Sequence, residues 1–164
     1  MKRLGLLVAL CLVMLSFTPA TTLGAQEVKP FARGSYQQLV SARNGKPFIV
    51  NFWSLSCVYC KDEMGMFKKL VKKYPKLDLV LVSTDTPEEA ESISAALTKF
   101  SLNKADAWVF ADSNVERLRF EIDKYWYGEL PRTYFFNAKN GVKAISGKLE
   151  QKEVEQWVNE QYGL

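Results

Sequence analysis

The chain has 164 residues, 48% of them hydrophobic; 22 Lys and Arg stand against 18 Asp and Glu for a net charge of +4, and there is no histidine. So near a balance argues against nucleic acid or an acidic substrate as partner. The missing histidine excludes Ser-His-Asp catalysis and most catalytic zinc sites, and Lys61 after Cys60 excludes covalent c-type haem, which needs Cys-x-x-Cys-His.

Lys2 and Arg3 precede an apolar run from Leu4 to Phe17, followed by small and polar residues, the layout of a secretory signal peptide. Ala20 and Ala25 are alternative cleavage ends. The run is short for a membrane-spanning helix, so cleavage is expected, with an uncleaved anchor as the alternative. Cys11 lies inside this run, with no lipobox-like pattern after it. Residues 1–25 are accordingly expected to form the signal segment and 26–164 a single domain, about 139 residues being enough for a core. Loss of Lys2 and Arg3 takes the net charge from +4 to +2, since residues 1–25 hold no acid. It also leaves only Cys57 and Cys60, too few for a framework of structural disulfides.

Residues 26–34 read as extended or loose chain. Ser35-Tyr-Gln-Gln38 has the form of a capping box opening a short helix to about Ala42, ended at Asn44-Gly45. Pro47 to Trp53 is almost continuously apolar, as in a strand covered on both faces. A helix from Cys57 to about Lys73 follows, with Lys68, Lys69, Lys72 and Lys73 as a solvated face. Leu77 to Ser83 is a second central strand, and Thr86-Pro87-Glu88-Glu89 a strong helix start, with Ile93, Ala96, Leu97 and Phe100 on one face.

Ala107 to Phe110 is a third strand, after which Asp112 or Ser113 caps a helix carrying Val115, Leu118 and Ile122. The aromatic stretch Tyr125-Trp126-Tyr127 leads to Leu130-Pro131-Arg132-Thr133 and a strand at Tyr134–Phe136. Asn140-Gly141 turns the chain into Val142–Ser146, and a last helix near Glu150 to Tyr162 buries Val154, Trp157 and Val158. This order predicts an α/β domain with a central mixed sheet between helices.

Chemistry concentrates where the first buried strand meets the first long helix. Cys57 and Cys60 are three residues apart, about one helical turn, close enough to form a disulfide. A cysteine at a helix start meets free backbone N–H groups and the positive end of the dipole, which favour its thiolate. Cys57 thus reads as a nucleophile near neutral pH and Cys60 as the thiol that resolves a mixed disulfide. Zinc would need two more ligands, and the mature segment has no other Cys or His to supply them. At about 100° per residue, Glu63 falls on the flank of the apolar arc Cys60, Met64, Phe67, Val71 and Tyr74. Burial there raises a carboxyl pKa, and Glu63 is then placed to exchange the proton of Cys60. An acid that simply favours the first turns of a helix is the alternative.

Asn51-Phe-Trp-x-x-x-Cys57-x-x-Cys60-Lys-x-Glu63-Met64, with Leu130-Pro131-x-Thr133 some seventy residues on, resembles the TlpA/ResA-like branch of the thioredoxin superfamily. The resemblance runs from about Ser35 to the C-terminus. It implies a thioredoxin-like fold with the strand–helix insertion of that branch, and a thiol–disulfide oxidoreductase with no cofactor beyond the Cys57–Cys60 disulfide. It implies that Pro131 is a cis proline facing the disulfide, that Leu130 offers its backbone to an extended substrate, and that Glu63 handles a proton. Protein thiols and disulfides of the cell envelope are the partners it implies, in the periplasm or envelope, with a membrane reductase as electron donor and a monomer as the default state. Reduction is the direction of that branch.

Asn51 stands where ordinary thioredoxins carry a buried aspartate; as it cannot titrate, any relay runs through Glu63 or water. Ser56 replaces a common Trp and Tyr59 a common Pro, and the residues between the cysteines tune redox potential. Tyr59 and Trp126 are the further substrate-contact candidates, Trp126 as part of a partner-binding rim with Tyr125 and Tyr127, a stretch whose alternative role is helix-end packing. Two rival functions remain: a Cu(I) carrier using Cys57, Cys60, Met64 and Met66, and a redox-inert binding module. A peroxidase lacks support, since no Pro-x-x-x-Thr-x-x-Cys precedes either cysteine.

Overall fold

A computed structural model describes residues 26–163; the expected signal segment, with Cys11, lies outside them. In chain order come β1 (Lys29–Phe31), α1 (Ser35–Ala42), β2 (Phe48–Trp53), α2 (Val58–Lys73) and β3 (Leu79–Ser83). A 3-10 turn at Pro87–Glu89 runs into α3 (Ala90–Lys99), followed by β4 (Asp106–Phe110), α4 (Val115–Ile122), β5 (Arg132–Phe136), β6 (Val142–Ser146) and α5 (Gln151–Tyr162). No helix among these residues is long and apolar enough to cross a membrane.

The strands form one sheet in the order β1-β4-β3-β2-β5-β6, with β1 to β4 mutually parallel where they pair and β5 and β6 antiparallel. This is the mixed sheet expected from the alternation of elements. All six residues of β2 and all five of β3 are buried, as central strands covered on both faces must be. The twofold alternation of a strand splits β2: Ile49 and Trp53 join a core with Met64, Phe67 and Leu70 of α2, Ile93 and Leu97 of α3, and Val154 and Val158 of α5. Phe48, Val50 and Phe52 join Leu39 of α1 and Leu118 and Ile122 of α4 on the opposite face. There the Phe52 ring sits among Phe31, Phe110, Trp126 and Tyr134, with centroids 4.8–6.1 Å away. Burying each such side chain contributes about 1.5–3 kcal/mol. Asn51 shares the face of Ile49 and Trp53, so the periodicity that makes the core also turns its amide toward α2.

Local differences from the sequence reading have identifiable causes. The loose segment 26–34 holds a strand, because β1 adds in parallel to β4, with Phe31 opposite Phe110. Ser35 is the first residue of α1, not its cap: its hydroxyl accepts the Ala32 N–H at 3.0 Å, and Gly34, at φ 83°, occupies the cap position. Asn114 caps α4, its side-chain oxygen accepting the Arg117 N–H at 2.9 Å. Trp157 is half-buried, stacked edge-on against Phe135 at 5.2 Å.

Candidate active site

The turn between β2 and α2 is anchored before it reaches the first cysteine. Asp85, just past β3, accepts the Leu55 N–H at 2.8 Å and the Ser83 hydroxyl at 2.5 Å. The Cys57 N–H then donates to the Ser54 carbonyl at 3.2 Å. Cys57 takes the N-cap of α2 with extended backbone, φ −78° and ψ 110°, so the helix proper starts at Val58.

Cys57 and Cys60 form a disulfide, with their Cα atoms 5.3 Å apart, and the Cys60 N–H points at Cys57 Sγ from 3.1 Å. Cys60 is fully buried while Cys57 is half-buried beside Val58 and Tyr59, which are 69% and 63% exposed. The two sulfurs are chemically unequal: one is reachable from solvent and faces free helix N–H groups, the other is sealed beneath it.

The Leu130–Pro131 peptide is cis. In the antiparallel register Arg132 lies opposite Phe52, which sets Pro131 at the Trp53 end of β2, where the chain leaves toward Cys57. Leu130 packs against both cores, including the one that holds Cys60. The loop is tied from several sides. The Pro131 carbonyl accepts the Gly147 N–H at 2.8 Å, and the Arg132 guanidinium donates to Asp123 and to Ser146 Oγ, each at 2.6 Å.

Trp126 is a correction. It is 3% exposed, wedged against Phe52 and Phe110, with its indole N–H donated to the Glu129 carbonyl at 2.9 Å. A large ring with a single donor is well suited to such a site, where the backbone satisfies the nitrogen, and Trp126 is therefore unavailable to a partner. Its neighbours Tyr125 and Tyr127 are the exposed pair, at 69% and 84%.

Glu63 is 2% exposed on the side of α2 that meets the sheet. Its Oε2 accepts the Asn51 side-chain N–H at 2.9 Å and its Oε1 the Leu149 backbone N–H at 2.8 Å. The same Asn51 nitrogen donates to Thr133 Oγ1 at 2.9 Å, so β2, α2 and the approach to α5 meet at the carboxyl and β5 is joined to them through Asn51. Burial pushes the Glu63 pKa up from 4.5 to about 7, against the opposing pull of those donors and of the Lys148 charge. The carboxyl is thus poised between its two protonation states near neutral pH.

Asp85, Leu149 and Lys148 were not singled out from the sequence, since they reach the site only through long-range packing. Thr133 was visible within Leu-Pro-x-Thr, and its two-residue offset from Pro131 carried the signal that it faces α2. Met64 and Met66 are 0% and 8% exposed within the core, among neighbours such as Phe67 and Leu70.

A mixed sheet of this order, with the Cys57–Cys60 disulfide at the start of its first long helix, is a thioredoxin-like fold carrying a candidate thiol–disulfide site. The chain belongs to the AhpC/TSA family, whose model matches residues 18–145. It is 31% identical over 120 residues to the thioredoxin-like protein YneN of Bacillus subtilis, a match covering 68% of this chain and 63% of that one. Thioredoxin H5 of Oryza sativa is 29% identical over 75 residues, or 46% of this chain and 51% of its own. The chain therefore spans less than two thirds of either curated relative. Among solved structures, a secreted Mycobacterium tuberculosis disulfide oxidoreductase homologous to E. coli DsbE superposes with a TM-score of 0.58 at 18% identity, covering 73% of this chain and 85% of that one. StoA from Bacillus subtilis gives 0.52 at 21%, covering 70% and 84%.

Proposed function

We propose that the protein is an exported thiol–disulfide oxidoreductase that reduces disulfides of other proteins in the cell envelope. The observation that carries this reading is the inequality of the two sulfurs above a buried carboxyl: Cys57 half-buried at the helix cap, Cys60 fully buried, and Glu63 at 2% exposure with its pKa near 7.

In the reduced protein the Cys57 thiolate attacks one sulfur of a partner disulfide; a new S–S bond forms and the partner's other sulfur leaves as thiolate. Glu63, ionised, takes the proton from the Cys60 thiol. The Cys60 thiolate then attacks Cys57 Sγ, the bond from Cys57 to the partner breaks, and the second partner sulfur is released. Two electrons pass from the protein's dithiol to the partner, and the protein is left with the disulfide seen in the structure. Pro131 and the Leu130 backbone dock the substrate segment, with Tyr59, Tyr125 and Tyr127 as exposed apolar contacts around it.

The signal-like segment at residues 1–25 and the secreted relative support an exported domain at 26–164. An upstream reductase in the membrane returns the disulfide to the dithiol, the protein acts as a monomer, and it needs no cofactor. The burial of Met64 and Met66 in the core weighs against a Cu(I) carrier, which would have to expose them.

Single-cysteine variants test the assignment of the two sulfurs. With insulin as disulfide probe, Cys60→Ser is expected to stop at a covalent mixed disulfide visible by mass, and Cys57→Ser to form none. A trapped adduct on Cys60 in Cys57→Ser at a rate equal to that of the Cys60→Ser protein would overturn the assignment.

A further inference from the structure

Arg132 follows Pro131 and stands opposite Phe52 on β2 and Ser146 on β6. Cross-strand partners share a face, so its side chain leaves the sheet on the side of α1 and α4, while Thr133 turns to Asn51 and α2. The Arg132 side chain is 12% exposed, and each nitrogen of the guanidinium has an acceptor. Nη2 donates to Asp123 Oδ2 and Nη1 to Ser146 Oγ, each at 2.6 Å, and Nε to the Tyr134 hydroxyl at 3.1 Å. The Ser146 hydroxyl extends the chain of contacts, donating to Glu129 Oε1 at 2.6 Å. Both carboxylates turn their other oxygen to the backbone of the loop before Pro131. Asp123 Oδ1 accepts the Tyr125 N–H at 2.9 Å, and Glu129 Oε2 accepts the Tyr127 N–H at 3.2 Å. The Glu129 and Pro131 carbonyls are held as well, by the Trp126 indole and by the Gly147 N–H. Between them, the Leu130 N–H and carbonyl make no backbone hydrogen bond among the described residues.

From this arrangement we infer that Arg132 is a positioning residue that makes the protein select polypeptide disulfides over small ones: from the far face of the sheet it fixes Leu130–Pro131 and the exposed Tyr125 and Tyr127 as one pre-formed docking surface. The inference rests on the docking role of that edge proposed above. Two exposed tyrosines and a free stretch of backbone bind an extended chain more tightly when they are ordered beforehand, because the partner then bears less of the ordering cost. A guanidinium suits the task, since its rigid fork serves acceptors in several directions at once, whereas an ammonium is a single point of charge. The pair with Asp123 has side-chain exposures of 12% and 20%, so solvent screens it less than an ion pair at the open surface. Because Arg132 points away from α2, it governs how readily Cys57 meets a protein disulfide and leaves the exchange between sulfurs unchanged.

The test reads the first covalent step alone, in the Cys60→Ser protein, where the Cys57 thiolate bonds to one sulfur of a disulfide and the other sulfur leaves as thiolate. Adduct formation is followed by mass with insulin, which has chain to lay along the loop, and with hydroxyethyl disulfide, which has none. Adding Arg132→Met, which removes every donor, is expected to slow the reaction with insulin by about tenfold, on the order of what ordering one or two interface side chains costs, and to leave hydroxyethyl disulfide unchanged. Arg132→Lys keeps a cation beside Asp123 and is expected to slow insulin less, again without effect on hydroxyethyl disulfide; it carries the test where Arg132→Met does not fold, as judged by circular dichroism. A ratio of the two rates equal to the parent's in a folded variant overturns the inference, whether both rates are normal or both are slowed together. If Cys60→Ser alone captures no insulin, the premise fails instead, and the protein does not exchange disulfides with other proteins through Cys57.

Discussion

Replacing Glu63 by Gln keeps the shape of the side chain and removes its ionisation, which makes a stability measurement sensitive to the one buried acid at the site. In the folded protein the carboxyl titrates near 7, against 4.5 when unfolded, so between those values the native state holds a proton that the unfolded chain has released. Stability then falls as pH rises through that window, by 1.36 kcal/mol per unit, and the whole penalty amounts to about 3 kcal/mol above pH 7. With 2% of its surface exposed, the side chain is little screened by solvent. Gln keeps one acceptor oxygen but sets an NH2, which only donates, against one of the two N–H groups from Asn51 and Leu149, and this mismatch, independent of pH, contributes a constant offset. The informative quantity is the change across the window. Urea denaturation of the oxidised parent and variant at about pH 4.5 and about pH 8 should show Glu63→Gln gaining about 3 kcal/mol relative to the parent between the two. Stability profiles that stay parallel would refute the reasoning, because they would mean that the carboxyl ionises as readily folded as unfolded.

Other perturbations follow from the same contacts. Asn51→Ala strands Glu63 Oε2 and Thr133 Oγ1 at a fully buried position and should cost about 2–4 kcal/mol in urea denaturation. It should also move the Glu63 midpoint upward in an NMR titration, because the lost N–H is one that lowers it. Asp85→Ala frees the Leu55 N–H and the Ser83 hydroxyl, with an expected loss of about 1–3 kcal/mol and faster hydrogen exchange at the Leu55 amide. Gly65→Ala, in the interior of α2 with room for the methyl group, should raise stability by about 0.5–1 kcal/mol in the same denaturation experiment.

The parts of this account that were legible in the sequence are those with local causes. The apolar runs at Pro47–Trp53 and Leu77–Ser83 announce central strands because burial on both faces leaves no room for alternation. Cys57, Cys60 and the flank position of Glu63 follow from helix geometry alone. What stayed hidden depends on partners distant in the chain. Three residues suffice for β1 only because β4 is there to pair with them. The side of the aromatic stretch on which Trp126 falls is decided by Phe52 and Phe110, and Ser35 loses its capping role to the bend at Gly34. Glu63 was expected to be partly buried; its near-complete enclosure requires Asn51 and Leu149, which are 12 and 86 residues away and are brought to it by the sheet and the last connection.

The central claim, that the Cys57–Cys60 pair works as a reductant of other proteins, is tested most directly by its reduction potential, from a glutathione redox titration followed by mass. The account predicts a value near that of thioredoxin, about −270 mV, and a value near −120 mV, that of strong oxidants, would contradict it and make the protein a donor of disulfides.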